Sequence, residues 1–160
     1  MAMSITSPVF RHESAIPQRY TCEGDDVSPP LVFDGVPTAA ASLALIVEDP
    51  DAPDPAAPKR VWVHWVMYNL PPTAKELRES VRMTDLPTGA RVGKNDWSKA
   101  GYGGPCPPIG RHRYFFKLYA LDIVLPDLEL PTKAALEKAM QGHVIAEAIL
   151  MGTYHKAKGG

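Results

Sequence analysis

The sequence lacks the features that mark several functional classes. It has 160 residues, two cysteines, 8 % aromatic residues and a formal net charge of −1. Without an excess of lysine and arginine, it does not carry the electrostatic footprint of a general nucleic-acid-binding protein. No apolar run approaches the roughly 20 residues of a membrane span, so no transmembrane segment is expected. The length predicts a single domain over residues 1–160.

The small number of cysteines also indicates whether the protein's thiols are reduced or oxidised. Two cysteines are too few for the disulfide framework of a small secreted domain. The first four residues, from Met1 to Ser4, contain neither the basic region nor the apolar core of a secretory signal. Together these features predict a protein with reduced thiols in the cytoplasm.

Proline is the residue present in excess. The chain has 17 prolines and 12 glycines, spread along its length rather than gathered in one tract. Proline removes a donor from a β-ladder and stops helices. This composition favours many short strands joined by stiff loops over a helical bundle.

Apolar periodicity locates the secondary structure. Strands are predicted at residues 4–10, 31–33, 42–49, 61–70, 90–93, 111–121 and 149–154. One or two helical turns are expected in residues 73–82, and a short helix over 134–141 follows Thr132 as its N-cap. Residues 143–148 could continue that helix. The sum is a mainly β fold, an antiparallel β-sandwich with one or two short helices near the C-terminus.

Polar groups occur on strand faces that otherwise resemble core. They are Asp49, His64, His112 and Tyr114, which lie on the three longest predicted strands. The period of two on strand 61–70 places these residues on one face: Trp62, His64, Val66 and Tyr68. If the three strands share a sheet, the polar groups meet around an apolar-walled cavity, as in a small-ligand pocket. Alternatively, they are separate core groups that are each hydrogen-bonded.

Two rigid loops adjoin these residues. Residues 49–53 follow one strand directly, and residues 101–110, rich in glycine and proline, run into His112. These glycines precede a strand, whereas phosphate-binding glycine loops precede a helix whose N-terminus binds the anion. The loops therefore indicate a pocket wall rather than a dinucleotide-binding fold.

Three segments together resemble the phosphatidylethanolamine-binding protein family, which includes the Raf kinase inhibitor proteins. They are DPDAP at 49–53, VHWV at 63–66 leading to NLP at 69–71, and GPCPPIGRHRY at 104–114. Their order matches the family, and the likeness covers roughly residues 5–155. The segment 95–97 and the C-terminal residues 135–154 resemble the bacterial and archaeal branch.

The resemblance implies a Greek-key β-sandwich with a small pocket for anions such as phosphate or phospholipid head groups. The ligand-binding residues implied are Asp49, Asp51, Trp62, His64, Pro107, Pro108, His112 and Tyr114. Two imidazoles could each donate to a phosphate oxygen, and Tyr114 could add a third donor. Asp49 would hold an imidazole or meet an ammonium group on the ligand, because a free carboxylate would repel an anion.

The sequence leaves other functions open. Asp49, His64 and His112 resemble a two-histidine, one-carboxylate metal set, although no closely spaced ligand pair supports it. Cys106 could serve as a thiol nucleophile. These residues and the resemblance favour a non-enzymatic binding protein with a regulatory role that needs no metal or cofactor. The alternative is a protein-interaction module that inhibits a kinase or protease.

Two further expectations concern geometry and assembly. At least one X-Pro bond in residues 49–53 is predicted to be cis, since the two prolines must turn the chain sharply there. A homodimer is also expected. The family branch is commonly dimeric, and strand 61–70 is apolar on both faces, so one face needs the C-terminal helix or a second subunit to cover it.

Overall fold

The computed structural model describes residues 2–156. Met1 and residues 157–160, which the single-domain prediction includes, lie outside the described residues. The strands are β1 Ser4–Thr6, β2 Ser14–Ala15, β3 Leu31–Asp34, β4 Ser42–Ala52, β5 Arg60–Leu70, β6 Glu76–Leu77, β7 Arg91–Val92, β8 His112–Leu121 and β9 Val144–Tyr154. The helix α1 spans Lys133–Met140, and 3₁₀ turns occur at Gln18–Tyr20 and Met83–Asp85. No helix in this part of the chain is long and apolar enough to cross a membrane.

The strands form two sheets. The smaller sheet has the order β1-β3-β6, and the larger has the order β2-β9-β8-β4-β5-β7. A long connection carries the chain from β5 past β4 to β8, as in a Greek key. All pairings are antiparallel except the short β2–β9 pair. The predicted mainly β sandwich is confirmed.

The larger sheet carries apolar side chains on both faces. Its inner face packs against the smaller sheet, where Leu45 and Leu118 are fully buried in one cluster with Leu31 and Phe33. Its outer face packs beneath α1 in a second cluster. The strands β4 and β5 are therefore covered on both sides, which explains their nearly continuous apolar sequence.

The helix α1 forms as its local sequence predicts. The Thr132 hydroxyl accepts a hydrogen bond from the Ala135 N–H at 3.2 Å, which satisfies one of the free donors of the first turn. Leu136 and Met140, four residues apart, are the two buried side chains. Gly142 has a φ of 81°, a left-handed conformation that glycine adopts readily, and the chain turns there into β9.

Two helix predictions are wrong. Residues 143–148 do not extend α1, because β9 begins at Val144 and pairs along the whole length of β8. Residues 73–82 contain β6 rather than a helical turn, and Leu77 of β6 lies opposite Leu31 in the smaller sheet. Burial of Leu77 in the core outweighs the weak helical preference of this short polar segment.

A β-bulge corrects the predicted faces of β5. Val47 pairs with Trp65 but its neighbour Glu48 pairs with Val63, so His64 is an extra residue in β5. The bulge shifts the alternation by one position. Trp62 and His64 therefore point to the end of the inner face, whereas Val66 and Tyr68 lie in the cluster beneath α1. A strict period of two wrongly placed all four on one face.

Candidate functional site

A cavity of about 460 Å³ opens at the end of the inner face of the larger sheet. β4, β5 and β8 contribute Asp49, His64, His112 and Tyr114, and the loop before β8 contributes Pro107 and Pro108. Seven of the eight predicted ligand-binding residues line it: Asp49, Trp62, His64, Pro107, Pro108, His112 and Tyr114. The volume suits a small ligand. Ligand binding by these residues stays a prediction, although their convergence is observed.

Asp51 is the predicted site residue that does not line the cavity. Its carboxylate accepts hydrogen bonds from the backbone N–H of Arg113 and from the Arg113 guanidinium at 2.9–3.0 Å. These hydrogen bonds from Arg113 lower the pKa of Asp51. Asp51 therefore ties the end of β4 to β8 behind the cavity wall.

His112 is locked by hydrogen bonds on both ring nitrogens. Its Nδ1 lies 2.6 Å from Oδ2 of Asp49, and its Nε2 lies 2.9 Å from the carbonyl of Ile109 and 3.1 Å from that of Pro53. Carbonyl oxygens only accept, so Nε2 carries a proton and donates it. Both nitrogens are therefore occupied in this structure, and an anion bound by His112 would have to displace one of these acceptors.

The Asp49–His112 pair adds no net charge to the cavity. One further proton lies between Nδ1 and Oδ2, and the pair is neutral overall whether the histidine or the aspartate holds it. Burial raises the pKa of Asp49, opposed by its hydrogen bonds with His112 and with the backbone N–H of Asp51. An anion can therefore occupy the cavity without meeting an unpaired carboxylate.

His64 has a different environment from His112. Its Nδ1 lies 2.7 Å from the carbonyl of Gly103, and the ring edges meet Trp97 and Tyr114 at centroid distances of 5.1 and 5.2 Å. Burial lowers the pKa of His64 from 6.5 to about 4, so the ring is neutral at pH 7. The neutral ring donates from Nδ1 to Gly103 and presents a lone pair at Nε2.

Gly103 is needed at this position for steric reasons. A Cβ atom there would lie 2.2 Å from the Trp97 ring, far inside van der Waals contact. Glycine therefore lets the backbone pass beneath Trp97 and deliver its carbonyl oxygen to His64.

Two further hydrogen-bonding groups belong to residues that line the cavity. The indole Nε1 of Trp62 is buried and has no hydrogen-bond partner in the described part of the chain. An unpaired buried donor is costly unless a ligand or water satisfies it. Burial raises the pKa of Tyr114, so its hydroxyl keeps its proton at neutral pH and can donate.

Two basic side chains that the motifs do not include lie at the cavity mouth. Arg60, the first residue of β5, and Lys59, which directly precedes it, both line the cavity. The Arg60 guanidinium lies 4.5 Å from the centre of the Trp62 ring and 3.3 Å from the Asp96 carboxylate. Adjacent basic residues just before a predicted strand were visible in the sequence, but only the tertiary structure places them at the mouth.

A disulfide bond between Cys22 and Cys106 corrects the prediction of reduced thiols. The two Cα atoms are 5.4 Å apart although the residues are separated by 84 positions. The number of cysteines could not reveal this proximity, which depends on loops 20–26 and 104–110 packing together. With its sulfur bonded, Cys106 has no free thiol, so a thiol nucleophile is also excluded in this state.

The predicted cis proline is confirmed at Ala52-Pro53. For the metal alternative, no three histidine, cysteine, aspartate or glutamate side chains within residues 2–156 are arranged to hold a metal ion. The absence of a cofactor stays a prediction.

Comparison with known proteins agrees with this architecture. Residues 6–155 match the family model described as phosphatidylethanolamine-binding protein. A UPF0098 protein of Methanothermobacter thermautotrophicus is 51 % identical over 156 residues, which are 96 % of this chain and 99 % of that protein. A crystal structure of a phosphatidylethanolamine-binding protein homolog from Chlamydia trachomatis has 48 % identity and a TM-score of 0.89, covering 97 % of this chain and 98 % of that one. YbcL of Escherichia coli has 32 % identity and a TM-score of 0.87, covering 98 % and 99 % of the two chains.

Proposed function

Because the chain belongs to the phosphatidylethanolamine-binding protein family, we propose that it is a non-enzymatic protein that binds a small anion, such as phosphate or a phospholipid head group. The observation that carries the proposal is the charge arrangement of the cavity. Its buried carboxylate is neutralised by His112, while Lys59 and Arg60 lie at its mouth. Such a site attracts an anion at the entrance and does not repel it inside.

The test is calorimetric titration with inorganic phosphate and with phosphorylethanolamine at low ionic strength. The double variant Lys59→Ala and Arg60→Ala is expected to bind phosphate about tenfold more weakly, since each exposed charge contributes up to about 1 kcal/mol. The matched control replaces Lys138, on α1, and Lys156, near the C-terminus, with alanine and removes the same net charge. If both double variants bind phosphate equally weakly, the effect is due to net charge, and the proposed attraction of the anion by Lys59 and Arg60 is contradicted.

The sequence also offered a second function, a protein-interaction module acting as a kinase or protease inhibitor. The convergence of polar side chains at the cavity favours ligand binding over this alternative. Loss of phosphate binding in His64→Ala, with binding to a protein partner retained, would favour the interaction module.

Location in the cytoplasm and homodimerisation stay predictions. The Cys22–Cys106 bond weakens the first, because disulfides persist mainly in oxidising compartments. Thiol labelling of protein taken directly from the producing cells tests the redox state, and unreactive cysteines before reduction are the result expected from the structure.

A further inference from the structure

The Cys22–Cys106 bond lies near the surface, between two cavities. Cys22 is exposed and Cys106 is partly buried. Both cysteines line a second cavity of about 300 Å³, and Cys106 also lines the cavity at the end of the larger sheet. Exposed disulfide bonds are the ones that exchange most readily with thiols. Cys22 is therefore the side of the bond that is more open to an external thiol.

Hydrogen bonds hold the two cysteines close together independently of the disulfide. The N–H of Cys22 donates to the carbonyl of Pro105 at 3.1 Å, and Pro105 directly precedes Cys106. The N–H of Gly104 donates to the carboxylate of Asp26 at 2.8 Å. Neither contact needs the S–S bond, so the two thiols should stay close to each other after reduction, and the bond can form again.

The cavity wall that follows Cys106 is attached differently. It contains Pro107 and Pro108, which have no N–H group to donate. At one end of this wall the disulfide holds Cys106, and at the other end Nε2 of His112 donates to the carbonyl of Ile109 at 2.9 Å. Opening the disulfide therefore releases one end of the wall, while the segment before Cys106 keeps its own hydrogen bonds.

We propose that Cys22–Cys106 is a reversible thiol–disulfide exchange site whose redox state sets the rigidity of the cavity wall at residues 106–110. The thiolate of a low-molecular-weight thiol attacks Sγ of Cys22 and forms a new S–S bond there, and the electron pair of the broken bond leaves on Sγ of Cys106. A second thiolate attacks the external sulfur of this mixed disulfide and releases Cys22. The two external thiols leave as one disulfide, and both cysteines become thiols by taking up protons from water.

The exchange does not depend on what the cavity binds, but its consequence for binding rests on the proposed function. Pro107 and Pro108 line the cavity, so a looser wall has to be ordered when a ligand binds. Ordering a mobile segment opposes binding. The oxidised protein should therefore bind its ligand more tightly than the reduced protein.

The first experiment measures the exchange in the folded protein. The wild-type protein is equilibrated without denaturant in mixtures of reduced and oxidised glutathione, its free thiols are alkylated, and mass spectrometry counts them. We expect both cysteines to be reduced and reoxidised reversibly, with an unchanged far-ultraviolet circular dichroism spectrum. A bond that stays intact until urea unfolds the protein would overturn the proposal.

Two single variants test which sulfur is attacked, and they are matched because both lack the disulfide. Oxidised glutathione should form a mixed disulfide about tenfold faster with Cys22 in Cys106→Ser than with Cys106 in Cys22→Ser, because Cys22 is the more exposed residue. The same rates in urea are the control for intrinsic reactivity, and there the difference should disappear. Equal rates in the folded variants would contradict attack at Cys22.

Nuclear magnetic resonance tests the rigidity of the wall through backbone ¹⁵N order parameters. On reduction of the wild-type protein, the values should fall at Ile109 and Gly110. They should stay unchanged at Gly103 and Gly104, whose N–H groups donate to the His64 carbonyl and to Asp26. Unchanged values at Ile109 and Gly110 would overturn the link between the bond and the wall. Loss of order throughout the chain would show that the bond is a staple of the whole fold, which also contradicts a local switch.

Calorimetric titration of the oxidised and reduced proteins with inorganic phosphate separates this inference from the function beneath it. Weaker binding by the reduced protein is expected. If phosphate binds neither form while glutathione exchange proceeds, the proposed function fails and the exchange site stands. Equal binding by both forms would overturn the consequence of the wall for binding.

Discussion

At the scale of single residues, two histidines in one cavity have opposite roles because their hydrogen-bond partners differ. His112 faces a carboxylate and two carbonyl oxygens, which all accept, and it therefore belongs to the wall. His64 donates from Nδ1 to the carbonyl of Gly103, and its ring packs against the edges of Trp97 and Tyr114. Residue type alone could not separate these roles, since both histidines occupy inner-face positions on neighbouring parts of the sheet.

Removing Asp49, the hydrogen-bond partner of His112, should destabilise the folded protein. Asp49→Ala leaves a fully buried imidazole without its acceptor and is expected to lower the free energy of unfolding by about 3–5 kcal/mol. Asp49→Asn should cost much less, because its amide can donate to Nδ1 while its oxygen accepts from the Asp51 N–H. Urea unfolding at pH 7 measures both. Similar stability of Asp49→Ala and the wild type would show that the pair is not coupled.

His64 should make stability depend on pH. Its pKa is about 4 in the folded protein against 6.5 for the unfolded chain, so between these values the unfolded state binds the extra proton. Stability therefore falls as the pH decreases from 6.5 to 4, by about 3 kcal/mol from this group. Urea unfolding of the wild type and of His64→Gln at pH 7 and pH 4 isolates the contribution. A stability difference between the two proteins that is the same at both pH values would contradict the low pKa.

At the scale of helices and strands, local sequence signals predict an element correctly when its formation depends mainly on its own residues. The helix α1 has its cap, its apolar pair and its terminating glycine within eleven residues. The strand β6 has two residues and depends on pairing with β3, which lies over forty residues earlier in the chain. Its short polar sequence could not reveal that partner.

The helix α1 should stabilise the fold mainly through one side chain. Leu136 is fully buried against the outer face of the larger sheet, so Leu136→Ala is expected to destabilise the protein by about 2–5 kcal/mol. Thr132→Ala removes only the cap and should cost about 1 kcal/mol. Thermal or urea unfolding shows which of the two variants is less stable. A larger loss of stability in Thr132→Ala than in Leu136→Ala would mean that α1 is not anchored through Leu136.

The disulfide bond should stabilise the loops that form the cavity wall. Because it closes a loop of more than 80 residues, its reduction is expected to lower the free energy of unfolding by about 3–5 kcal/mol. The paired variant Cys22→Ser and Cys106→Ser should show the same loss without reductant and no further loss with it. Equal stability of the oxidised and reduced wild-type protein would contradict the prediction.

At the scale of the whole molecule, the outer face of the larger sheet is covered unevenly. α1 packs over β4 and β5, including Val63 and Val66, so the face of β5 that was expected to need a second subunit already has a cover. The part formed by β8 and β9 has no helix over it within the described residues. Ile145 and Ile149 are 41 % and 47 % exposed there.

This uncovered surface is where the predicted homodimer would form. The wild-type protein is expected to have about twice the 17.5 kDa mass of one chain in light scattering at micromolar concentration. Ile149→Glu should reduce the mass to that of a monomer, while Met83→Glu, at a solvent-exposed position in the 3₁₀ turn at Met83–Asp85, should leave it unchanged. A wild-type mass near 17.5 kDa would contradict the dimer.

Local patterns in the sequence predict the β-rich class, the long strands, α1 and seven of the residues that line the cavity. These depend on periodicity, on caps and on motifs, all of which are local in the chain. Tertiary structure decided the bulge that turns Val66 away from His64, the bond between Cys22 and Cys106, and the position of Lys59 and Arg60 at the mouth. It also decided that Nε2 of His112 is occupied, because the carbonyls that accept from it come from residues 53 and 109, on two different loops. Such contacts depend on how distant segments pack, and a pattern within one segment does not contain that information.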